Sequence, residues 1–162
     1  MKDSETFKNQ TALVTGAGRG IGAATARMLA SRGAKVALVS RTAEQLEAVA
    51  RSIRDAGGEA LVCQADVSRA KDMENAVARA ADTFGALHLA VNNAGIIIDH
   101  KPVQDTSIED WDRIIGVNLS GIFYGMKYQI PKMIEAGGGA IVNISSVYSD
   151  RGFPLNAGYV TA

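Results

Sequence analysis

The chain has 162 residues, of which 47% are hydrophobic and 21% are charged, a composition typical of folded globular proteins. Its 17 basic and 17 acidic residues cancel, so the net charge gives no argument for nucleic acid or an anionic membrane as a partner. Because the single cysteine forms no internal disulfide, residues 1–10 lack a signal-like apolar core, and no run approaches the ~18 apolar residues of a membrane helix, we expect a cytoplasmic protein.

Strand-like and helix-like segments alternate along the whole chain. We predict strands at 12–14, 35–40, 59–64, 87–92 and 140–145, and helices at 21–31, 43–56, 69–84 and 107–136. Pro131 is expected to bend or interrupt the last of these helices. The alternation predicts one α/β domain over residues 1–162, with a doubly wound parallel sheet in three α/β/α layers. Ligands of such sheets bind beyond the carboxyl ends of the strands, near the point where the strand order reverses.

A glycine-rich turn with the sequence TGAGRGIG joins the first strand to the first helix. Glycines at this spacing permit a sharp turn, close approach of the backbone to a pyrophosphate and tight packing of helix against strand. The start of the helix offers free N–H groups and a partial positive charge to the phosphates. We therefore predict a phosphate cradle made by Gly16, Gly18, Arg19, Gly20, Ile21 and Gly22. The alternative is a loop that only needs positive φ angles.

Ser40 and Arg41 follow the second strand. An acidic residue here would accept hydrogen bonds from the ribose of NAD and repel a 2′-phosphate, whereas an arginine pairs with that phosphate. With Arg19 as a second cation, the sequence predicts NADP in preference to NAD. The alternative is that Arg41 is a solvated residue leading into a helix.

Two further strand ends carry candidate contacts to a cofactor. Asp66 and Val67 follow the third strand and are predicted to hold the adenine; Asp66 as the cap of the helix that begins near residue 69 is an alternative compatible with it. The fourth strand ends in the motif NNAG, whose Asn93, Ala94 and Gly95 suit close approach of a cofactor, although the motif also suits a simple turn.

Five features in this order resemble the short-chain dehydrogenase/reductase family: TGAGRGIG, NNAG, Asn118, Ser146 and Tyr159. The resemblance covers the chain from about residue 8 to its last residue, and its general character is that of ketoacyl-carrier reductases and of sugar or alcohol dehydrogenases. It implies a Rossmann-type fold and hydride transfer between NADP(H) and a carbonyl compound or secondary alcohol. It also implies a homo-oligomer when the protein is full length, and no metal.

The resemblance assigns catalytic roles to three residues. Tyr159 would exchange a proton with the substrate oxygen, Ser146 would donate a hydrogen bond to that oxygen, and Asn118 would anchor a water in a proton relay. Without the resemblance each residue has an ordinary explanation: Ser146 forms a turn, Tyr159 is a surface aromatic and Asn118 is a helix irregularity.

One departure from the family pattern lies at the end of the chain. The family carries Tyr-x-x-x-Lys, whereas this chain reads Tyr159-Val160-Thr161-Ala162 and stops. The absent lysine would lower the pKa of the tyrosine and hold the nicotinamide ribose. We therefore expect a chain that lacks its last strands and helices and continues with Lys after Ala162, and little turnover by the 162-residue piece. The alternative is a truncated, non-catalytic nucleotide-binding module.

The remaining polar and aromatic residues are predicted either to line the substrate pocket or to have a purely structural role. The loops at 96–106 and 147–158, with Tyr148, Phe153 and Leu155, are predicted to line a moderately hydrophobic pocket. Four other residues are expected to have no catalytic role: the buried strand thiol Cys63, the structural His88, the solvated His100 and the packing residue Trp111.

Overall fold

The computed structural model describes residues 6–98 and 100–162. Its five strands are β1 (Thr11–Thr15), β2 (Lys35–Ser40), β3 (Glu59–Gln64), β4 (Leu89–Asn92) and β5 (Ala140–Asn143). Its α-helices are α1 (Gly20–Ser31), α2 (Ala43–Asp55), α3 (Ala70–Phe84), α4 (Ile108–Ile114), α5 (Gly121–Glu135) and α6 (Ala157–Thr161). A π-helical segment (Ile115–Ser120) joins α4 to α5, and short 3₁₀ helices lie at Val103–Asp105 and Val147–Ser149.

All strand pairs are parallel, and the strand order is β3-β2-β1-β4-β5. Strands β2 and β3 therefore lie on one side of β1. The chain then returns across β1 and places β4 and β5 on its other side. This is the reversal of strand order at which open α/β sheets bind ligands.

Successive residues of the central strands pack against different helical layers. In β1, Ala12 and Val14 lie in a cluster with the buried faces of α1 and α2, whereas Leu13 lies in a second cluster with α3 and Met133 of α5. Because side chains alternate across a strand, this division means that both faces of the sheet are covered by helices. The predicted doubly wound, three-layer α/β/α fold is confirmed.

The segment 107–136, predicted to be mainly helical with a bend or an interruption at Pro131, differs from the expected interruption. Helix α5 continues through Pro131 to Glu135, and the irregularity lies instead in the π-helical segment Ile115–Ser120. A proline removes only one donor from the hydrogen-bond ladder, and this one lies in the last turns of α5, where the buried Met133 holds the helix against the sheet. The prediction of an interruption at Pro131 is therefore wrong.

Within residues 6–98 and 100–162, no helix combines the length and apolar character needed to cross a membrane.

Candidate active site

Two adjoining cavities lie at the carboxyl ends of the strands. The first, which we call the glycine-turn cleft, has a volume of about 430 Å³. It is lined by every residue predicted to contact a cofactor except Gly22, namely Gly16, Gly18, Arg19, Gly20, Ile21, Ser40, Arg41, Asp66, Val67, Asn93, Ala94 and Gly95. Residues from the ends of four strands thus meet at one cleft.

The second cavity, which we call the Tyr159 cleft, has a volume of about 680 Å³. Its walls include Ser146, Tyr159 and Asn118, the three residues predicted to be catalytic. The two clefts have five lining residues in common: Ile21, Asn93, Ala94, Gly95 and Ile96. The predicted cofactor and catalytic residues therefore form one continuous surface.

The glycine turn is packed too tightly for side chains at two positions. Gly16 has a φ of 64°, and a Cβ on it would lie 2.7 Å from Asn93 Nδ2. Gly22 is buried, and a Cβ on it would collide with the carbonyl oxygen of Gly16. Gly22 thus acts beneath the turn, where it lets α1 pack against it, rather than in the wall of the cleft.

The start of α1 is suited to an anion. Its N-cap residue, Arg19, has an extended backbone and makes no side-chain capping hydrogen bond, and the first turn of α1 contains no acidic residue. The first N–H groups of a helix have no partner within the helix, and they carry its partial positive charge. A phosphate in the glycine-turn cleft fits these donors.

The end of β2 presents an unsatisfied hydroxyl beside a cation. Ser40 Oγ is buried and has no hydrogen-bond partner among the described residues. Arg41 is exposed, and its carbonyl oxygen accepts a hydrogen bond of 3.0 Å from Gln64 Nε2, which ties the end of β2 to the end of β3. A buried polar atom without a partner is costly, so the residues here fit a ligand that brings a hydrogen-bonding group to Ser40.

Asp66 forms a tight local turn rather than a helix cap. Its Oδ1 accepts hydrogen bonds from the backbone N–H and the hydroxyl of Ser68, at 3.0 and 2.7 Å. Desolvation opposes ionisation of Asp66, but these hydrogen bonds and the charges of Arg41 and Arg69 outweigh it and hold the pKa of the carboxyl below its ordinary value. Helix α3 has Arg69 as its N-cap and no side-chain capping bond, so the alternative of Asp66 as its cap is wrong.

Thr15 is a structural contributor to the site that the sequence reasoning missed. Its Oγ1 accepts hydrogen bonds from the backbone N–H groups of Asn93 and Ala94, at 2.9 and 3.0 Å, while Asn93 Nδ2 donates to the carbonyl of Thr15 at 3.0 Å. These bonds join the glycine turn to the NNAG motif across β1 and β4. The available signal was a threonine at the end of a buried strand, where its hydroxyl needs a partner.

Asn118 lies in the π-helical segment and binds the loop that follows β4. Its Oδ1 accepts from the backbone N–H of Ile96 and its Nδ2 donates to the carbonyl of Ile96, both at 2.9 Å. The side chain thereby fixes Ile96, which lines both clefts. Local π-helical turns occur frequently at functional sites.

Ser146 is held in a turn and lies three residues after the end of β5. Its Oγ accepts a hydrogen bond of 3.3 Å from the backbone N–H of Tyr148. Its carbonyl oxygen accepts from the N–H and the hydroxyl of Ser149, at 3.0 and 2.7 Å. Because a serine hydroxyl has one hydrogen and two lone pairs, an Oγ that accepts from Tyr148 keeps its hydrogen free for another acceptor.

The aromatic residues of the loop at 147–158 do not lie where we predicted. Tyr148 and Phe153 stack on each other, with ring centroids 3.9 Å apart and planes 17° apart, and neither ring lines the Tyr159 cleft. Leu155 lines a separate small cavity. The Tyr159 cleft is walled instead by aliphatic residues, which include Ile97, Leu119, Ile122, Ile144 and Val160. The two rings cover each other's apolar faces, which local sequence does not reveal.

Two residues outside the clefts have the structural roles expected of them. His88 Nδ1 accepts a hydrogen bond of 3.0 Å from the backbone N–H of Thr11 and so links the residue before β4 to the start of β1. Cys63 is buried in β3, where desolvation raises the pKa of its thiol against the opposing charge of Arg79. A buried thiol that stays protonated is a poor nucleophile.

Comparison with known proteins gives one consistent family. The sequence pattern of the family described as short chain dehydrogenase matches residues 10–162. The cyclohexanol dehydrogenase of Acinetobacter sp. (strain SE19) is 45% identical over 159 residues, which are 98% of this chain and 63% of that protein. The cis-4-hydroxycyclohexanecarboxylate dehydrogenase of Sinomonas cyclohexanicum is 41% identical over 158 residues, which are also 98% of this chain and 63% of that protein.

Solved structures agree with this result. A metagenomic short-chain oxidoreductase in complex with NADP has a TM-score of 0.91 and 38% identity, over 96% of this chain and 70% of that chain. NAD⁺-bound xylitol dehydrogenase has a TM-score of 0.92 and 36% identity, over 96% of this chain and 60% of that chain. The chain thus spans about 63% of the length of the two curated relatives.

Proposed function

The chain belongs to the short chain dehydrogenase family, and on that premise we propose that the full-length protein transfers a hydride between NADP(H) and a cyclic secondary alcohol or its ketone. The observation that carries this proposal is the continuity of the two clefts. Ser146, Tyr159 and Asn118 line a cavity that opens onto the one lined by the predicted cofactor residues. When bound, the nicotinamide supplies the acceptor or donor of the hydride.

Tyr159 and Ser146 act on the substrate oxygen in this proposal. During alcohol oxidation Tyr159 removes the hydroxyl proton, and during ketone reduction it returns a proton to the oxygen. Ser146 donates its free hydroxyl hydrogen to the same oxygen, which carries negative charge in the transition state. A phenol ionises near pH ~10, so a neighbouring cation helps Tyr159 to act at neutral pH. A lysine directly after Ala162, in the family's Tyr-x-x-x-Lys pattern, would supply that cation.

Asn118 has a positioning role as well as the proposed relay role. Its two hydrogen bonds to Ile96 hold a residue that lines both clefts. An amide has two donor hydrogens and an oxygen with two lone pairs, so one donor and one acceptor site remain for a water. We retain that water contact as a proposal.

Ser40, Arg41 and Arg19 support a preference for NADP. All three residues line the glycine-turn cleft, and Ser40 Oγ lacks a partner among the described residues. A 2′-phosphate supplies acceptor oxygens for the hydroxyl and for a bidentate guanidinium, whereas NAD carries only a hydroxyl at this place. Asp66 and Val67 line the same cleft, and we propose that they hold the adenine.

Replacing Arg41 with aspartate is expected to shift preference from NADPH toward NADH. Loss of one charge-assisted hydrogen bond to the 2′-phosphate, worth about 1.5–3 kcal/mol, changes the ratio of the two dissociation constants by roughly 10- to 160-fold. Isothermal titration of both cofactors measures that ratio. Arg51→Asp is the matched control, since Arg51 is an exposed residue of α2 that lines neither cleft. An unchanged ratio in R41D would overturn the assignment of Arg41.

The substrate class is proposed from the cavity wall and from two relatives. Aliphatic side chains of Ile97, Ile122 and Ile144 line the Tyr159 cleft together with the polar Ser146 and Tyr159. An apolar wall with a few polar groups suits an alicyclic ring that carries one reacting hydroxyl. The names of both curated relatives contain a hydroxylated cyclohexane, which supports the same class for this protein.

A panel of alcohols tests this class. With NADP⁺ and the full-length protein, kcat/KM is expected to be higher for cyclohexanol than for an open-chain polyol such as xylitol, because an apolar wall leaves the additional hydroxyls of the polyol without partners. Initial rates of NADPH formation measure it. A higher kcat/KM for xylitol would contradict the proposed substrate class without affecting the proposed chemistry.

A further inference from the structure

Tyr148 contacts both Ser146 and Tyr159 in the structure. It lies in the short 3₁₀ helix Val147–Ser149, outside the walls of the Tyr159 cleft. Its backbone N–H donates to Ser146 Oγ at 3.3 Å, and its ring lies against the ring of Tyr159. A single residue therefore contacts both side chains that we place at the substrate oxygen.

The backbone contact selects the direction in which the Ser146 hydroxyl donates. Because Tyr148 N–H occupies a lone pair of Ser146 Oγ, the hydroxyl hydrogen is left for another acceptor. The two hydrogen bonds from Ser149 to the carbonyl of Ser146 hold the same turn closed. The position of the Ser146 side chain thus depends on the position of the 3₁₀ helix Val147–Ser149.

The ring of Tyr148 holds this 3₁₀ helix in position. It stacks on Phe153 at 3.9 Å on one side and meets Tyr159 edge to face, with ring centroids 5.7 Å apart and planes 84° apart. Offset-stacked and edge-to-face pairs are the favoured arrangements of aromatic rings. Three half-buried rings therefore brace the Ser146 turn against α6, which carries Tyr159.

We propose that Tyr148 is a positioning residue that sets the distance and orientation between the Ser146 hydroxyl and the Tyr159 phenol. This inference rests on the proposed function. Its physical basis is that reacting groups must be held in a near-attack geometry, and a displacement of about 1 Å costs about 100-fold in rate. Tyr148 contacts Ser146 through its backbone N–H and Tyr159 through its ring, so the aromatic ring is the part of the side chain that carries the effect.

Replacing the ring tests the proposal in the full-length protein. Tyr148→Ala keeps the backbone N–H to Ser146 and removes the ring, and it is expected to lower kcat for cyclohexanol oxidation by about 10- to 100-fold while the Kd for NADP⁺ stays unchanged. Tyr148→Phe retains both ring contacts and is expected to restore kcat. Tyr148→Leu, which keeps apolar bulk without a planar ring, serves if the alanine variant does not fold, and is expected to lower kcat as well.

Two controls separate positioning from a merely structural effect. Tyr128→Ala removes a half-buried ring from α5 that packs on the core and lines neither cleft, so it is expected to lower the Tm without lowering kcat below that Tm. A deuterium isotope effect on kcat is expected to increase in Y148A, because misplaced groups make the chemical step slower. Loss of stability alone does not produce that increase.

The measurements distinguish a failure of the inference about Tyr148 from a failure of the proposed function. The inference is overturned if Y148A keeps the wild-type kcat, if Y148F is as slow as Y148A, or if Y128A lowers kcat by the same factor. If Tyr159→Phe and Ser146→Ala also leave kcat unchanged, the proposed function itself fails.

Discussion

Replacing Tyr159 with phenylalanine is expected to lower kcat for alcohol oxidation by about 10²- to 10⁴-fold, the range that general acid–base catalysis contributes. The substitution removes one oxygen atom and leaves the ring, so the edge-to-face contact with Tyr148 remains. Tyr159 does not line the glycine-turn cleft, where the cofactor is proposed to bind its phosphates. The Kd for NADP⁺ is therefore expected to stay unchanged, and the loss belongs to proton transfer at the substrate oxygen.

Steady-state rates and cofactor titration of the same preparation measure both quantities. Tyr124→Phe is the matched control, because it deletes the same hydroxyl from a half-buried tyrosine on α5 that lines neither cleft. A Y159F variant with wild-type kcat would show that another group exchanges the proton. A variant that has also lost NADP⁺ binding would place Tyr159 in the cofactor site instead.

Replacing Ser146 with alanine is expected to lower kcat by about 10²- to 10³-fold, the cost of removing one hydrogen-bond donor from a developing oxyanion. The physical reason is the hydroxyl hydrogen left free by the bond that Tyr148 N–H donates to Ser146 Oγ. Because this donor acts most strongly on the charged transition state, KM for the alcohol is expected to change less than kcat.

A matched serine elsewhere controls for loss of a hydroxyl. Ser31→Ala removes an exposed hydroxyl that donates only to the carbonyl of Met28 in α1, and it is expected to keep wild-type kcat and KM. An S146A variant that raises KM and keeps kcat would indicate that Ser146 binds the substrate equally in its ground and transition states.

Much of the site was predictable because parallel sheets collect their strand ends at one edge. The glycine turn, the pair Ser40 and Arg41, and Asp66 are distant in sequence, yet each lies at the end of a strand or within two residues of it. Alternation of strands and helices was enough to predict that such residues meet. The cleft they line is where that rule places it.

Other features depend on contacts between segments that no local pattern specifies. The stack of Tyr148 on Phe153 removed two rings from the predicted pocket, because each ring covers the other. The Asn118 side chain is hydrogen-bonded to the backbone of Ile96. The helix irregularity lies in the π-helical segment that contains Asn118 and not at Pro131. Side-chain pairing of this kind is decided by tertiary packing, which periodicity does not encode.

Several expectations drawn from the amino-acid sequence stay predictions. They are the single domain over residues 1–162, the homo-oligomer, the cytoplasmic location and the lysine after Ala162. The preference for NADP over NAD also stays a prediction, because one similar structure carries NADP and another carries NAD⁺.

The most direct test of the central claim is to follow the hydride itself. The full-length protein is incubated with NADP⁺ and cyclohexanol that carries deuterium at the carbinol carbon, and the NADPH formed is analysed by mass spectrometry. The account predicts that one deuterium appears on the nicotinamide ring while cyclohexanone accumulates in equal amount. Absence of deuterated product with both NADP⁺ and NAD⁺ would contradict hydride transfer to this chain's cofactor site.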